Sequence, residues 1–581
     1  MLKRLLGFLL ARFWLALNAR RVRRQLAAGI AQLESGNFEA ARRSLEQVLA
    51  LDPGNAAACF QIGTLIARTE SYPESARYLA RAVALEPEHA EWWMALGELA
   101  QLHSDRARAA EYFRAALAVA PDSAPAHGKI GQELRQSGRA AEAIIHLRRA
   151  YALAPEAPGT LRDLVIALIE YDMCDKALSV AAQAVERDRE SYEAVLCLGL
   201  AHQKLHNPAR ALACYESAAR MRADDAELHD ARGSAFQELG RLDEALAAYD
   251  RALALRPDFP LASFHRALAR LLLLDFERGW PDYELRRTGA ARAPHPAVAP
   301  RWDGASLTGR TILLRREQGL GDEIMFASML PDLLRMAGHC IIECDPRLRA
   351  LLRRSFPAAT VFGAIPDESL PHSVAGRDIA FEADMGSLPL HLRRRAADFR
   401  RHEGYLKADP ERTAYWRERL AQLGPGLKVG ISWAGGVRKT RRALRSIALP
   451  EWLPVLGTAG ARFVSLQYTP GAAGEAADLE ARHGIRIEHW PEAIEDYDET
   501  AALVCALDLV ISVCTSVVHL GGALGRPVWV MAPYSPEWRY GFSGDAMPWY
   551  SSVRVFRSPA YGDWPPVIAA VAQAMRGLAG N

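Results

Sequence analysis

Small and large apolar positions recur along the first half of the chain with a period of 34 residues. One phase is large and runs Leu45, Leu79, Phe113, Leu147, Ala181, Tyr215, Tyr249. A second is small: Ala82, Ala116, Ala150, Ala184, Ala218 and Ala252, with Val48 in the first unit. A third holds Gly29, Gly63, Gly97, Gly131, Gly199 and Gly233, with Val165 the exception and Ala267 beginning a further unit. Pro53, Pro87, Pro121, Pro155 and Pro257 keep the same interval, and Arg189 and Ala223 hold the phase between them, so no unit has gained or lost a residue. Small residues on both helices of a unit let the axes approach, the large one fills the space between, and the proline stops the second helix. The pattern predicts stacked helical hairpins over 26–280.

Past LLLLDFERGWPDYELRR the pattern ends, and TGAARAPHPAVAPRWDG is rich in Pro, Ala and Gly without apolar period, so 281–307 reads as a linker. Beyond it, β-rich runs alternate with helical segments: TILL, HCIIEC, DIAF, KVGISW, RFVSLQ, IRIEHW, DLVISV and PVWVM. Such alternation predicts parallel sheets with helices on both faces. Two α/β units are expected, 308–408 and 409–581, the second opened by a charged helix around Asp409 to Leu423. Ligands of open parallel sheets bind beyond the carboxyl ends of the strands. The expected site is the cleft between the two.

Composition narrows the function classes. Lys and Arg number 71 against 69 Asp and Glu, which leaves no whole-molecule field for holding a nucleic acid. The eight cysteines contain no CxxC pair and lie mostly in apolar runs, so they are expected reduced, as in the cytoplasm. Residues 1–24 carry seven cations and no acid around the apolar stretch Leu5 to Leu17, which is too short to span a bilayer. Two readings stay open for 1–25: a basic amphipathic helix resting on the inner face of the membrane, or the first helix of the repeat region with a solvated basic face.

Three loops at strand ends carry candidate chemistry. In EQGLGDEIMFASMLP, Gly319 and Gly321 permit a tight turn and Asp322 lies near a helix start. Asp322 is either an ordinary cap or a carboxylate able to take an acceptor proton. In WAGGVRKTRRALRSI, Arg438, Lys439, Arg441, Arg442 and Arg445 follow two glycines. That run is either a solvated face or a diphosphate grip, to which Ser432 and Ser446 add hydroxyls. In DLVISVCTSVVHLGGALGRPVWVM, Thr515 and Ser516 open a helix whose backbone NH groups suit an anion, with His519 one turn in. Asp496 and Asp498 form DYD just before a helix and read as capping rather than as a metal site.

The 34-residue phases resemble the tetratricopeptide repeat over about residues 26 to 275, roughly seven units and a terminal helix. Such a solenoid offers a concave groove, which implies binding of a protein partner. The motifs GLGDEIMFASMLP, GISWAGG with RSI, and TSVVHLGGALGRPVWVM resemble the heptosyltransferase-related glycosyltransferases of family nine, which have the two-domain GT-B fold. That resemblance implies metal-independent, inverting transfer of a sugar from a nucleotide-sugar to a hydroxyl of a protein or glycan acceptor, without a cofactor. By position it implies Asp322 as base. It implies Gly319, Gly321, Ser432, Lys439, Arg445, Ser446, Thr515, Ser516, His519 and Glu537 on the donor side. The tail YSPEWRYGFSGDAMPWYSSVRVFR resembles the ending of repeat-bearing relatives of the family, so Glu537, Trp538 and Arg539 either close on the donor or belong to a structural aromatic tail. One departure is Cys514, where the family commonly has an aspartate. Two alternatives remain: a repeat scaffold with a degenerate transferase domain, or a relative of the repeat-containing enzymes that attach N-acetylglucosamine to Ser and Thr.

Overall fold

The computed structural model describes residues 2–69, 72–287, 297–317, 319–364, 374, 376–436 and 442–579, with backbone only for 2–17, 69 and 579. The chain divides into two compact units, Met1–Ala223 and Asp224–Asn581.

In the first unit the helices Leu2–Glu34, Ala56–Thr69, Ala90–Leu102, Ala124–Gln136, Thr160–Glu170 and Tyr192–Lys204 each pack on the next helix. Those partners are Phe38–Leu51, Tyr72–Leu85, Arg106–Val119, Ala140–Leu153, Cys174–Arg187 and Pro208–Met221. Pro53, Pro87, Pro121 and Pro155 each fall two residues past a second helix, where a ring can no longer cost a helical hydrogen bond. Asn37, Asp105, Ser123 and Ser191 cap helices by accepting first-turn amides. The small and large phases meet face to face. A Cβ on Gly131 would stand 2.5 Å from Leu147 Cγ, and one on Gly199 2.5 Å from Tyr215 Cε1. Where the glycine is replaced by Val165 its counterpart shrinks to Ala181, and both are fully buried.

This packing makes a paired prediction on one helix. Gly131→Ala should cost about 1–3 kcal/mol, because Leu147 must leave its rotamer to admit the methyl. Gly128→Ala, with nothing near its new Cβ, should be neutral or gain about 0.5–1 kcal/mol from helix propensity. Urea unfolding of the two variants checks the contrast.

The boundary expected at residue 25 is absent. Leu2–Glu34 is one helix of 33 residues; no proline falls within it, and it ends just before Gly36, whose φ of 78° is left-handed. The side chains of 2–17, Lys3, Arg4 and Arg12 among them, lie outside the described residues, while Arg20, Arg21, Arg23 and Arg24 are exposed. Among the described residues no helix is long and apolar enough to cross a membrane.

The second unit begins with two more hairpins, Ala226–Glu238 with Leu242–Leu255 and Pro260–Leu272 with Phe276–Tyr283. Gly233 faces Tyr249 as the period requires. These hairpins belong to the same compact unit as the sheets. The reason is aromatic. Trp280 crosses Trp538 edge-on with centroids 5.5 Å apart and donates its indole NH to the Arg393 carbonyl at 2.7 Å. Phe276 and Trp549 both pack on Phe399, at 4.6 and 4.8 Å. The aromatic tail segment is thus a structural clamp within this unit.

Eleven strands follow among the described residues: β1 Thr311–Arg315, β2 His339–Cys344, β3 Thr360–Gly363, β4 Phe381–Asp384, β5 Leu427–Ser432, β6 Ala461–Ser465, β7 Ile487–Glu488, β8 Leu509–Val513, β9 Val528–Ala532, β10 Ala546–Met547 and β11 Tyr550–Arg557. The first sheet is parallel in the order β3-β2-β1-β4. Part of the expected linker joins it: Arg301 bridges to Glu382, and the Trp302 amide donates to the Glu382 carbonyl. The second sheet runs β7-β6-β5-β8-β9-β11-β10 and is parallel except for the final pair. Counted from β5 to β11, this is the doubly wound order 3-2-1-4-5-6, whose direction of winding reverses between β5 and β8. Helix Pro410–Ala421 packs on Tyr497–Ala506, with Trp416 stacked on Trp490, and Pro565–Ala579 covers the other face.

The first sheet carries charge in its interior. Arg315 on β1 bonds Glu343 on β2 at 3.0 Å and Glu382 on β4 at 3.5 Å, all three nearly inaccessible. Arg301 adds a second cation to Glu382 and reaches Asp384 at 3.1 Å.

Candidate functional site

A cavity of 620 Å³ lies where the segments after β1, β5 and β8 end. It is lined by Gly319, Gly321, Asp322, Arg445, Thr515, Ser516, His519 and Glu537, so eight of the sequence-selected residues come together. β5 and β8 flank the reversal of winding, where loops leave to opposite sides and open a crevice. The helices Leu320–Phe326 and Ser516–Ala523 approach it end to end. A Cβ on Gly321 would stand 3.1 Å from His519 Cδ2 and 3.5 Å from Ser516 Cα, so only glycine allows this approach without displacement.

Two selected residues are not brought there. Ser432 is fully buried, and its hydroxyl donates to Gln467 Oε1 at 3.0 Å. Ser446 accepts the Gly435 amide at 3.3 Å and donates to the Arg442 carbonyl, which spends its hydroxyl on holding the loop. Lys439, with Arg438 and Arg441, lies outside the described residues.

Asp322 is in the first turn of its helix but is not the N-cap, a position taken by Gly319. Its carboxylate accepts Arg539 Nε at 2.6 Å. Arg539 also bonds Glu537 at 3.3 Å, and Glu537 is in turn bound by Arg445. Carboxylate and guanidinium thus alternate across the cavity mouth. The two acids hold Arg539 above its ordinary range despite burial, which pushes the other way.

Thr515 caps Ser516–Ala523 by accepting the Val517 amide at 3.3 Å and meets Ser512 Oγ at 3.0 Å. Cys514 is buried, and burial pushes its thiol up to about 12, so it carries no charge at neutral pH. Gln467 was not selected, though it ends an apolar strand run and is wholly inaccessible. Its Oε1 accepts the amides of Trp433 and Ala434 at 2.9 Å and fixes the loop after β5. Tyr497 and Arg347 also line the cavity from elements whose sequence carried no such signal. Asp496 caps Tyr497–Ala506 through the Asp498 amide, while Asp498 pairs with Arg354 at 2.6 Å, so both acids of DYD are occupied.

His519 meets the Tyr550 hydroxyl at 3.2 Å. Burial, helped by the Arg539 charge, depresses its pKa to about 3, so it is a neutral ring at neutral pH. Next to Asp322, Glu323 is buried and accepts the Asp345 amide at 2.8 Å, and burial lifts it to about 8. The two groups tilt stability in opposite directions. The unfolded chain protonates His519 near 6.5, so stability falls as pH drops from there toward 3. The folded chain keeps the Glu323 proton up to about 8 while the unfolded chain releases it near 4.5, so stability falls as pH rises through that window. Thermal unfolding from pH 4 to 9 is expected to show His519→Gln flattening the acid limb and Glu323→Gln the alkaline limb.

Family profiles described as tetratricopeptide repeat match residues 32–99 and 103–158, and one described as TPR repeat matches 233–273. With the hairpins above, they define a tetratricopeptide-repeat protein. The chain is 32% identical over 440 residues to protein FlbA of Caulobacter vibrioides, an alignment covering 72% of this chain and 73% of FlbA. The chain belongs to the FlbA family. An alignment of that length extends beyond the helical repeats into the α/β region. The chain is also 33% identical over 79 residues to the peroxisomal targeting signal receptor of Saccharomyces cerevisiae, covering 14% of this chain and 13% of that one. A tetratricopeptide repeat protein from Parabacteroides merdae superposes with a TM-score of 0.37 at 13% identity, over 43% of this chain and 99% of the other.

Proposed function

We propose that the α/β region is a GT-B glycosyltransferase that transfers a sugar from a nucleotide-sugar to an acceptor hydroxyl with inversion, and that the repeat array binds the protein acceptor or a partner. The observation that carries this reading is the cavity at the winding reversal of the second sheet, where Asp322 from the first sheet faces Arg445, Arg539 and the Ser516–Ala523 helix start. Arg445, Arg539 and that helix start would hold the diphosphate and stabilise the charge it gains on leaving. These guanidiniums take the role a divalent cation plays in metal-dependent transferases. Diphosphate competes with Glu537 for both arginines, and Asp322, freed from Arg539, is then the base for the acceptor proton.

A second reading, a scaffold with a non-catalytic α/β region, is favoured by the engagement of Asp322 with Arg539 and by the uncharged Cys514. A thermal-shift panel of nucleoside diphosphates on the full chain separates the two. One member should raise the melting temperature, by about 2.7 kcal/mol of added stability at a hundred times its Kd, and Arg445→Ala should remove the effect. No shift with any member would leave the scaffold reading.

A further inference from the structure

A second cavity, of 440 Å³, lies beside the helix Leu330–Met336, between that helix and the segment around Arg400 to Tyr405. The transferase scheme does not use it. Its lining holds four arginines, Arg335, Arg393, Arg400 and Arg401, and a single acid, Asp332. The Asp332 carboxylate is shared: Arg393 Nη2 lies at 2.7 Å, Arg400 Nε at 3.3 Å, and Arg335 binds the same oxygen as Arg400. Arg393 has only 6% of its side chain exposed, and its other terminal nitrogen donates to the Leu392 carbonyl. A buried guanidinium that must share its one carboxylate with two other cations is costly unless further negative charge arrives.

The neutral polar groups of the wall are already committed except the Ser328 hydroxyl, which is buried and makes no hydrogen bond to the described residues, so that a ligand can use it. His402 donates through Nε2 to the Trp549 carbonyl and accepts the Gly404 amide on Nδ1. Tyr405 donates to the Ile324 carbonyl at 2.6 Å. Ser355 donates to the Leu351 carbonyl and accepts the Lys407 amide. Apart from that hydroxyl the remaining wall is apolar, with Phe356, Phe399 and Trp549 as its aromatic faces. The guanidiniums therefore offer a ligand charge-assisted donors along one edge, and the rest of the cavity offers it carbon.

We propose that this cavity binds a small amphiphilic anion, a carboxylate or phosphate carried on an aromatic or branched-aliphatic body. A bare inorganic anion satisfies the arginines but leaves the aromatic walls to water. A neutral apolar molecule of the same size leaves the guanidiniums desolvated and unpaired. The volume suits one small molecule.

Isothermal titration of the full chain with phenyl phosphate, phenylacetate, inorganic phosphate and benzyl alcohol tests the proposal, the first two distinguishing phosphate from carboxylate. At least one aromatic anion should bind, and inorganic phosphate and benzyl alcohol should each bind at least about tenfold more weakly. The double variant Arg400→Ala with Arg401→Ala, both exposed and therefore expected to fold with an unchanged melting temperature, should weaken the aromatic anion at least about tenfold. Arg445→Ala, in the other cavity, should leave it unchanged. Failure of both aromatic anions to bind, equal binding of inorganic phosphate, or loss of binding in Arg445→Ala but not in the double variant would each overturn the proposal. None of these outcomes depends on whether a nucleoside diphosphate binds.

Discussion

Asp322→Asn is expected to lower sugar transfer by at least about 10²-fold while nucleoside-diphosphate binding stays within about twofold. Asparagine keeps the size of the side chain and an oxygen to accept Arg539 Nε, which lies 2.6 Å from the carboxylate. What it loses is the ability to carry away a proton. A general base contributes about 10²–10⁴ to rate, so the loss is measurable even against slow background release. The assay follows nucleoside diphosphate released from each of a set of nucleotide-sugars, with thermal shift by the diphosphate as the binding control. Turnover equal to that of the parent chain would remove Asp322 from the chemistry. Loss of diphosphate binding together with turnover would instead make the aspartate a brace for Arg539.

Arg315→Met should destabilise the chain by about 3–5 kcal/mol, the cost of stranding the buried Glu343 carboxylate without its cation and leaving Glu382 to Arg301 alone. Glu343 and Glu382 are each only 1% exposed, and Arg315 is the guanidinium set between them on the neighbouring strand. Methionine matches the aliphatic stem, so packing changes little and charge accounts for the loss. Adding Glu343→Gln to Arg315→Met should recover part of it, because a buried amide needs no counter-charge. The signature is non-additivity between neighbours in one network. Urea unfolding followed by tryptophan fluorescence supplies the values, and strictly additive losses would show that Glu343 and Arg315 act independently.

Much of the architecture was legible because it repeats at short range. A 34-residue period in small and large residues needs no coordinates to imply hairpins, and Gly131 against Leu147 or Gly199 against Tyr215 is that period in three dimensions. Strand and helix alternation likewise located most of the strands. The short β3 and the pair β10 and β11 escaped notice, since a four-residue strand or one inside an aromatic tail has no apolar period of its own. That the last two hairpins share a compact unit with the sheets has no sequence signal either. Trp280 and Tyr283 carry the same helical signal whether they face another repeat or the α/β region, and only their partners Trp538 and Trp549 decide.

The candidate site divides the same way. Glycines, hydroxyls and cations at strand ends announced anion-binding loops, and most of those residues do line one cavity. The same signal placed Ser432 and Ser446 beside them, although Gln467 and the Arg442 carbonyl hold their hydroxyls elsewhere. A serine's sequence neighbours do not reveal which acceptor its hydroxyl reaches.

By itself, the sequence determined the repeat, the change to α/β structure and the kinds of side chain at each strand end, because helical and strand periods are set by neighbours a few residues apart. Only the tertiary structure decided that Asp322 meets Arg539 across 217 residues, that Arg315 sits between two buried glutamates, and that three arginines share one aspartate in the second cavity. Charge pairing and burial depend on distance in space, and chain order carries no record of that distance until the sheets have stacked.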